Sequence, residues 1–204
     1  MKLRQLYFGL FTCFIAMFCL VLFSGNAMAK KDIVVAHNEV LPTMDPHDCS
    51  NNNAYSIQRA MLEGLYGFGK GMKMVPVLAK SYTSNATATE FTFKLREGIY
   101  FHDGAPFNAE AVKVNVERIA NPALKLKRHS LFNMVTKVTV IDEYTVRVYL
   151  SKPFGAMINN FAHPAMRIIS PKAIKKYGKD VKTHPVGTGP FKFVMWEPGE
   201  KIKV

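Results

Sequence analysis

Acidic side chains are scarce in this 204-residue sequence. It has 15 Asp and Glu residues against 27 Lys and Arg residues, which gives a formal net charge of +12. Charged residues make up 21% of the chain and apolar residues 49%. That apolar share is enough to build a packed core, and it excludes an intrinsically disordered chain. The mean hydropathy of +0.01 excludes a protein made mostly of membrane-spanning helices.

Cysteine is scarce as well. Of the three cysteines, Cys13 and Cys19 lie in an apolar N-terminal segment that we expect to be removed, so the mature chain keeps only Cys49. A single cysteine cannot form an intramolecular disulfide, which excludes the small exported domains that are held together by several disulfides. We expect Cys49 to be either buried and unreactive or a free thiol.

The motifs of common enzyme and metal-binding families are missing. The sequence contains neither the H-E-x-x-H motif of zinc proteases nor the G-x-S-x-G motif of serine hydrolases. One cluster resembles a metal site, His47-x-Cys49 with Asp45 and Asp48 nearby, but it lacks the second pair of ligands that zinc needs. We therefore predict no metal, no cofactor and no catalytic residues, so that the protein is not an enzyme.

A glycine-rich segment leaves one alternative open. Residues 64–70 match G-x-x-x-x-G-K, the start of a phosphate-binding loop, but Gly71 follows where Ser or Thr should hold Mg²⁺. The glycines also follow a predicted helix, whereas the motif has to follow a strand and begin a helix. We interpret the segment as a turn. A nucleotide-binding protein or enzyme is the alternative, and ATP binding would test it.

The excess of positive charge does not identify a partner by itself. The most basic run, residues 124–129, alternates leucine and lysine, which is typical of a half-buried segment with one solvated face. No nucleic-acid-binding module or row of stacking aromatic residues accompanies it. We predict no nucleic-acid partner, and the charge instead favours anionic ligands.

The first 29 residues have the layout of a secretory signal peptide. Lys2 and Arg4 precede 18 uncharged residues, 6–23, and the small-x-small triplet 27–29 follows a Ser-Gly-Asn turn. We predict cleavage after Ala29 and export to the periplasm. The alternative is an uncleaved helix, because the apolar run is longer than a signal peptide usually has. The chain would then be a membrane-anchored protein and not a receptor.

Helix and strand patterns are mixed along the rest of the chain, which predicts an α/β fold. Polar capping residues mark three helix starts, at Asn51–Asn53, Asn108 and Ser170, and the first helix is predicted to run to Leu65. Apolar or alternating runs predict strands at 33–36, 91–95, 138–150 with a turn at 142–143, 191–196 and 202–204. The chain ends within the last of these strands, which is typical of the front part of a longer protein.

Several longer stretches together resemble one known family. They are residues 79–82, 91–112, 152–154 and 185–191, with Asp45-Pro46 and Trp196. The chain resembles the family-5 extracellular solute-binding proteins, which are the peptide, nickel and glutathione receptors of bacterial ABC importers. Residues 95–99, 126–128, 162–165 and 169–179 are most similar to the branch that binds glutathione.

The resemblance implies a fold and a domain organisation. It implies the N-terminal lobe of a two-lobed type II periplasmic-binding-protein fold, truncated, with an accessory α+β subdomain. The implied segments are a signal peptide (1–29), the first segment of the main lobe (30–77), the accessory subdomain (78–182) and a return segment of the main lobe (183–204). Since complete members are more than twice as long, we expect this chain to bind its ligand weakly.

The resemblance also implies a function. The chain would be the periplasmic solute-binding component of an ABC importer, with glutathione or a short peptide as ligand and a permease and an ATPase as partners. A haem- or dipeptide-binding receptor of the same family is the alternative.

The implied binding face lies where loops and strand ends converge between the lobes. Its candidate residues are Leu41, Thr43, Met44 and Asp45 in the loop after the first strand, Tyr66, His163, and Gly187, Thr188 and Gly189. Each has a structural alternative. Asp45-Pro46 can brace a loop, His163 can end a helix before Pro164, and residues 187–190 can form a crossover turn.

Overall fold

The computed structural model describes residues 34, 35 and 39–204, so the predicted signal peptide and its cleavage site at Ala29 lie outside the described residues. The described residues belong to two units, with Val34 and Val35 in the first and residues 39–204 in the second. In the first unit, Val34 and Val35 are exposed and lie in neither a helix nor a strand. The buried strand predicted at 33–36 is therefore wrong at these two positions, because neither side chain is covered by other parts of the described chain. Ile33 and Ala36 lie outside the described residues.

The second unit combines α-helices and antiparallel strands. Its α-helices are α1 (Asn52–Met61), α2 (Ala109–Ala120), α3 (Met157–Ala162) and α4 (Pro171–Tyr177). Its strands are β1 (Tyr66–Phe68), β2 (Met74–Pro76), β3 (Ala79–Ser84), β4 (Glu90–Leu95), β5 (Val135–Asp142), β6 (Thr145–Leu150), β7 (Met195–Glu197) and β8 (Lys201–Lys203). Within residues 34, 35 and 39–204, no helix is long and apolar enough to cross a membrane.

Side-chain caps begin three of these helices, as the sequence predicts. The side-chain oxygen of Asn51 accepts a hydrogen bond from the amide of Ala54 at 2.8 Å, and that of Asn108 accepts one from Ala111 at 3.1 Å. Ser170 caps α4 in the same way, with Pro171 at the first helical position. Each cap satisfies an amide that has no partner within the helix.

Strands β3 to β6 form one antiparallel sheet in the order β3-β4-β6-β5. In β4, Phe91, Phe93 and Leu95 are buried, whereas Lys94 is exposed, which is the alternation that the sequence predicts. The hairpin between β5 and β6 turns after Asp142, also as predicted. Helix α2 packs against β5 and covers the buried face of the sheet.

Two hydrophobic cores hold the unit together. The first lies between the four-stranded sheet, α2 and α3. The second contains the buried face of α1 and the loop before it, and Phe193, Trp196 and Ile202 from the end of the chain pack against it. The second core therefore joins residues that are far apart in the sequence, and it includes Ala165 from the predicted accessory subdomain; the division of the lobe into segments stays a prediction.

Two elements are shorter than the sequence predicts. Helix α1 ends at Met61 and not at Leu65, because Leu62 is extended and Gly64 forms an antiparallel bridge with Arg167. The strand predicted at 191–196 is confined to β7, since the amide of Phe191 donates to the carbonyl of Ala60 at 3.0 Å and cannot join a strand ladder. The glycine-rich residues 64–71 form β1 and its connection to β2, and no α-helix begins there.

Candidate ligand-binding site

The loop predicted to contact a ligand lies inside the second unit. All four of its candidate residues are buried, Leu41, Thr43, Met44 and Asp45. The hydroxyl oxygen of Thr43 accepts a hydrogen bond from the amide of Asp45 at 3.0 Å, and the carbonyl of Thr43 accepts one from the side chain of Gln58 at 3.2 Å. The amide of Met44 donates to the carbonyl of Lys182. These contacts brace the loop, and direct contact with a ligand stays a prediction.

A buried polar network starts at this loop. Arg118, on α2, donates to both carboxylate oxygens of Asp45, at 2.5 and 3.1 Å. Its Nη1 also lies 2.7 Å from Nδ1 of His47. Since a guanidinium can only donate, Nδ1 of His47 accepts, and Nε2 carries the proton and donates to the carbonyl of Arg167 at 3.1 Å. His47 thus links α2 to the backbone of Arg167.

Burial and charge set the protonation of this network. Burial lowers the pKa of His47 to about 4, with the nearby charge of Asp45 acting in the opposite direction. Burial alone would raise the pKa of the Asp45 carboxyl, but hydrogen bonds and charge from Arg118 and His47 outweigh it and hold that pKa below its usual value. At neutral pH, Asp45 is therefore ionised and His47 is neutral.

Tyr66 lies in the first core. It belongs to β1, is buried, and makes edge contacts with the ring of Tyr82 at 5.6 Å between centroids. Burial raises the pKa of its hydroxyl, and Tyr82 adds to the shift. Met44 belongs to the second core, so the structure does not bring these two predicted residues together.

The predicted loop at residues 187–189 packs tightly against the end of α1. A Cβ atom added at Gly187 would lie 2.3 Å from the carbonyl oxygen of Met61, so only glycine allows this approach. The amide of Gly189 donates to the same carbonyl at 2.9 Å. Thr188 is half-buried, and its hydroxyl donates to the carboxylate of Glu63 at 2.8 Å. The loop is thus fixed to the segment that leads into the Gly64–Arg167 bridge.

The side chains of Arg128, His163 and Arg167 surround Tyr55 on α1, and we call these four residues the Tyr55 cluster. The ring of His163 meets the ring of Tyr55 edge-on, at 5.8 Å between centroids, and the Arg128 guanidinium lies 5.8 Å from the centre of the same ring. Arg167 donates to the carbonyl of Tyr55 at 2.6 Å. The cluster contains two guanidinium groups and no carboxylate.

Arg167 is the least exposed cation of this cluster. Its exposed fraction is 9%, and none of the ion pairs among the described residues involves it. Burial lowers its pKa to about 10, and the positive charge of Arg59 acts in the same direction. Arg167 therefore keeps its charge at neutral pH while lacking a described counter-ion, an arrangement that a bound anion would stabilise.

His163 is the predicted site residue that belongs to the Tyr55 cluster. Its Nδ1 accepts a hydrogen bond from the amide of Ala165 at 3.0 Å and caps the short 3₁₀ helix Pro164–Met166. Burial lowers the pKa of His163, and the charges of Arg128 and Arg167 lower it further. His163 is therefore neutral at pH 7. Its Nδ1 is already occupied by the Ala165 amide, so Nε2 is the ring nitrogen that can contact a ligand.

Sequence reasoning missed Arg167, Arg128 and Tyr55. A usable signal was present for Arg167, the single charge within the apolar run 165–169. A lone arginine in a run that packs into a core has to find a carbonyl or an anion. No comparable signal marks Tyr55. Among residues 34, 35 and 39–204, no group of three or more His, Cys, Asp or Glu side chains could hold a metal ion.

Comparison with curated proteins gives relatives along most of the chain. The glutathione-binding protein GsiB of Pectobacterium atrosepticum is 44% identical over 176 residues, which is 86% of this chain and 34% of that protein. GsiB of Escherichia coli O157:H7 is also 44% identical, over 183 residues. The chain thus spans about a third of the length of the curated relatives it matches.

Solved structures of binding proteins share the fold. The agropinic-acid complex of AgaA from A. tumefaciens R10 has a TM-score of 0.74 at 35% identity, over 79% of this chain and 33% of that one. NikZ of Campylobacter jejuni, in complex with Ni(L-His), has a TM-score of 0.73 at 25% identity, over 82% of this chain and 33% of that one. The α/β fold is that of part of a type II periplasmic binding protein, as predicted.

The family itself is shown by the match over residues 73–204 to the sequence pattern described as bacterial extracellular solute-binding proteins, family 5 Middle. This match covers β2 to β8, including the four-stranded sheet, Arg167 and the loop at 187–189. The chain belongs to the family-5 bacterial extracellular solute-binding proteins.

Proposed function

We propose that this chain supplies one ligand-binding face of the periplasmic solute-binding component of an ABC importer, and that its ligand is glutathione or a short peptide. The family, together with relatives that are named glutathione-binding proteins, supports this proposal. So does the fold that the chain shares with solute receptors. The role is binding without catalysis, and it needs no cofactor.

The observation that carries the proposal is the guanidinium of Arg167. It is charged, almost buried and without a carboxylate partner in the described part of the chain. Glutathione and short peptides end in carboxylates, and glutathione has more carboxylates than ammonium groups. An arginine fork can bind a carboxylate through two parallel hydrogen bonds, which fixes the orientation of the ligand as well as its charge.

The other members of the Tyr55 cluster fit the same role. Arg128 is half-buried and adds a second positive charge beside the Tyr55 ring. His163 stands beside the same ring, and Thr188 borders the Glu63 segment that bridges to Arg167. In this proposal His163 and Thr188 contact the ligand. Thr43, Met44, Asp45, Tyr66 and Gly187 hold the surrounding loops in place.

The proposal includes export and transport partners. Cleavage after Ala29 would release the chain into the periplasm, where the permease and ATPase of an importer would use the loaded receptor. Residues 1–29 contain, in this order, a positively charged start, an apolar run and a small-x-small triplet, and this order supports cleavage. Mass spectrometry of the exported protein tests this step: an N-terminus at Lys30 is expected, and a membrane-bound product that keeps Met1 would contradict it.

The binding experiment is a calorimetric titration of the chain with reduced glutathione. We expect Arg167→Ala to weaken binding by about tenfold or more, because a charged hydrogen bond contributes about 1.5–3 kcal/mol. Arg96→Ala is the matched control, because Arg96 is exposed and lies on the connection after β4. Equal affinities for the unchanged chain and Arg167→Ala, with both variants folded, would overturn the proposed site.

A further inference from the structure

One cavity has none of the four residues of the Tyr55 cluster in its walls. Its volume is about 160 Å³, several times what one water needs. The lining residues come from the turn at 102–103, the end of α4 and the segments around it, namely His102, Asp103, Tyr177, His184, Pro185, Val186, Lys192 and Phe193. None of them belongs to the Tyr55 cluster, so a ligand here would occupy a separate site.

The side chain of His102 lines this cavity. Its amide donates to the carbonyl of Gly187 at 2.9 Å, and its Nε2 lies 2.7 Å from the carbonyl oxygen of Gly189. A carbonyl can only accept, so Nε2 carries a proton, and in the tautomer that has its proton there Nδ1 is an acceptor. Nδ1 is buried and has no hydrogen-bond partner among the described residues. A buried acceptor of this kind is stabilised by a ligand that donates to it.

Asp103 supplies a negative charge beside this acceptor. One of its carboxylate oxygens accepts from the hydroxyl of Ser170 at 2.6 Å, and the other accepts from the amide of Ala105 at 3.1 Å. These bonds fix the carboxylate and leave it free lone pairs, because an ionised carboxylate can accept about four hydrogen bonds. Among the described residues no cation forms an ion pair with it.

The remaining walls provide a cation and an apolar surface. Lys192 is exposed and also forms no ion pair within the described part of the chain. The rings of Tyr177 and His184 are stacked, with centroids 4.4 Å apart and planes 14° from parallel, and Val186 and Phe193 extend the apolar wall. The walls of the cavity thus combine the His102 imidazole, the Asp103 carboxylate, one ammonium group and an apolar surface.

We propose that this cavity binds the head group of a free α-amino acid with a small apolar side chain. The ammonium group of the ligand would donate to the Asp103 carboxylate and, once the His102 ring moves to expose its buried Nδ1, to that nitrogen as well. Its carboxylate would accept from the Lys192 ammonium, and its side chain would lie against Val186 and Phe193. A simple anion fits less well because it would face the Asp103 carboxylate. A simple cation also fits less well, because it would face the Lys192 ammonium group.

The test is a titration of the full chain with L-alanine and two analogues that each lack one charge. We expect L-alanine to bind with one site per chain. L-alaninamide lacks the carboxylate and N-acetyl-L-alanine lacks the ammonium group, so each should bind about tenfold more weakly or worse. The NMR signals of the His102 imidazole should move with L-alanine, which assigns the binding to this cavity.

Variants test the same contacts. Lys192→Ala should weaken L-alanine binding by about tenfold, to the level of L-alaninamide. Lys175→Ala is the matched control, because Lys175 is an exposed lysine of α4 that does not line the cavity, and it should change the affinity by less than about twofold. Equal binding of the three ligands would overturn the proposal. So would unchanged affinity in Lys192→Ala, or no L-alanine binding by the folded chain at millimolar concentration.

Discussion

The guanidinium of Arg118 and the carboxylate of Asp45 form an ion pair that is almost closed to solvent. Both carboxylate oxygens accept from the guanidinium, and the exposed fractions of the two side chains are 9% and 3%. The two residues are 73 positions apart in the sequence. The pair therefore ties the loop before α1 to α2, and through His47 it reaches the backbone of Arg167.

Removing the cation from this pair should destabilise the protein strongly. Arg118→Met would leave the buried Asp45 carboxylate unpaired, so we expect the free energy of unfolding to fall by about 3–5 kcal/mol. Urea denaturation measures this change. The control is Lys80→Met, which breaks the exposed Lys80–Glu97 pair and should cost less than about 1 kcal/mol. Similar costs for the two variants would show that the Asp45 pair behaves as a surface contact.

Stability should decrease when the pH falls from 6.5 to 4. Burial lowers the pKa of His47 to about 4 in the folded chain, whereas an unfolded histidine has a pKa near its ordinary value of 6.5. Between these values the unfolded chain binds more protons than the folded chain, so acid favours unfolding. The difference corresponds to roughly 3 kcal/mol of stability, present above pH 6.5 and lost by pH 4. The lowered pKa values of His163 and Asp45 act in the same direction, with Asp45 contributing at lower pH.

The His47 contribution can be separated from the others. His47→Gln removes the titrating ring, so the slope of unfolding free energy against pH between 6.5 and 4 should become flatter than in the unchanged chain. Denaturation curves at several pH values give this slope. An equal slope in His47→Gln would mean that other groups cause the acid sensitivity.

The sequence predicts elements whose signals are local. Asn51, Asn108 and Ser170 cap the helices that they were predicted to cap, and the alternation in β4 identifies its buried face. Contacts between distant residues carry no local signal. Nothing in the sequence pairs Asp45 with Arg118, and the end of α1 is decided by the bridge from Gly64 to Arg167, about a hundred residues away.

The candidate site was predicted less well for the same reason. The resemblance indicated loops as candidate ligand contacts, which stay predictions, but local sequence could not show that Met44 and Asp45 would turn inward. It also could not show that Tyr55, Arg128 and Arg167 would meet. These side chains come from α1, the connection before β5 and the segment before α4. Only the packing of the second core brings them together.

A methyl group at Gly187 should disrupt the loop that carries Thr188. In Gly187→Ala the new Cβ would lie 2.3 Å from the carbonyl oxygen of Met61 and 2.6 Å from the Leu62 side chain, so the loop has to move. We expect a loss of about 1–3 kcal/mol in unfolding free energy. Gly155→Ala is the matched control, because nothing lies within 4 Å of the position that its new methyl group would take, and it should be neutral or slightly stabilising. Equal melting temperatures for the two variants would contradict the close packing.

Cys49 should be unreactive in the folded protein. It is fully buried, its thiol donates a weak hydrogen bond to the carbonyl of Asn51, and its own carbonyl accepts from the hydroxyl of Tyr55. Burial raises the pKa of the thiol above its ordinary value, although the Asn51 hydrogen bond and the charge of Arg128 partly oppose the shift. Little thiolate is therefore present at neutral pH, and the thiolate is the form that reacts.

Alkylation by iodoacetamide, followed by peptide mapping, measures the reactivity of Cys49 separately from that of Cys13 and Cys19. We expect the peptide containing Cys49 to be labelled about a hundredfold more slowly in buffer than in urea. The reason is that in buffer the reagent reaches the thiol only when the second core opens. Tyr55→Phe removes the hydroxyl that holds the Cys49 carbonyl and should speed the reaction in buffer, while the rate in urea stays the same. Tyr82→Phe is the matched control, since Tyr82 packs in the first core and should leave the rate unchanged. Labelling of Cys49 in buffer as fast as in urea would show that this core does not protect it.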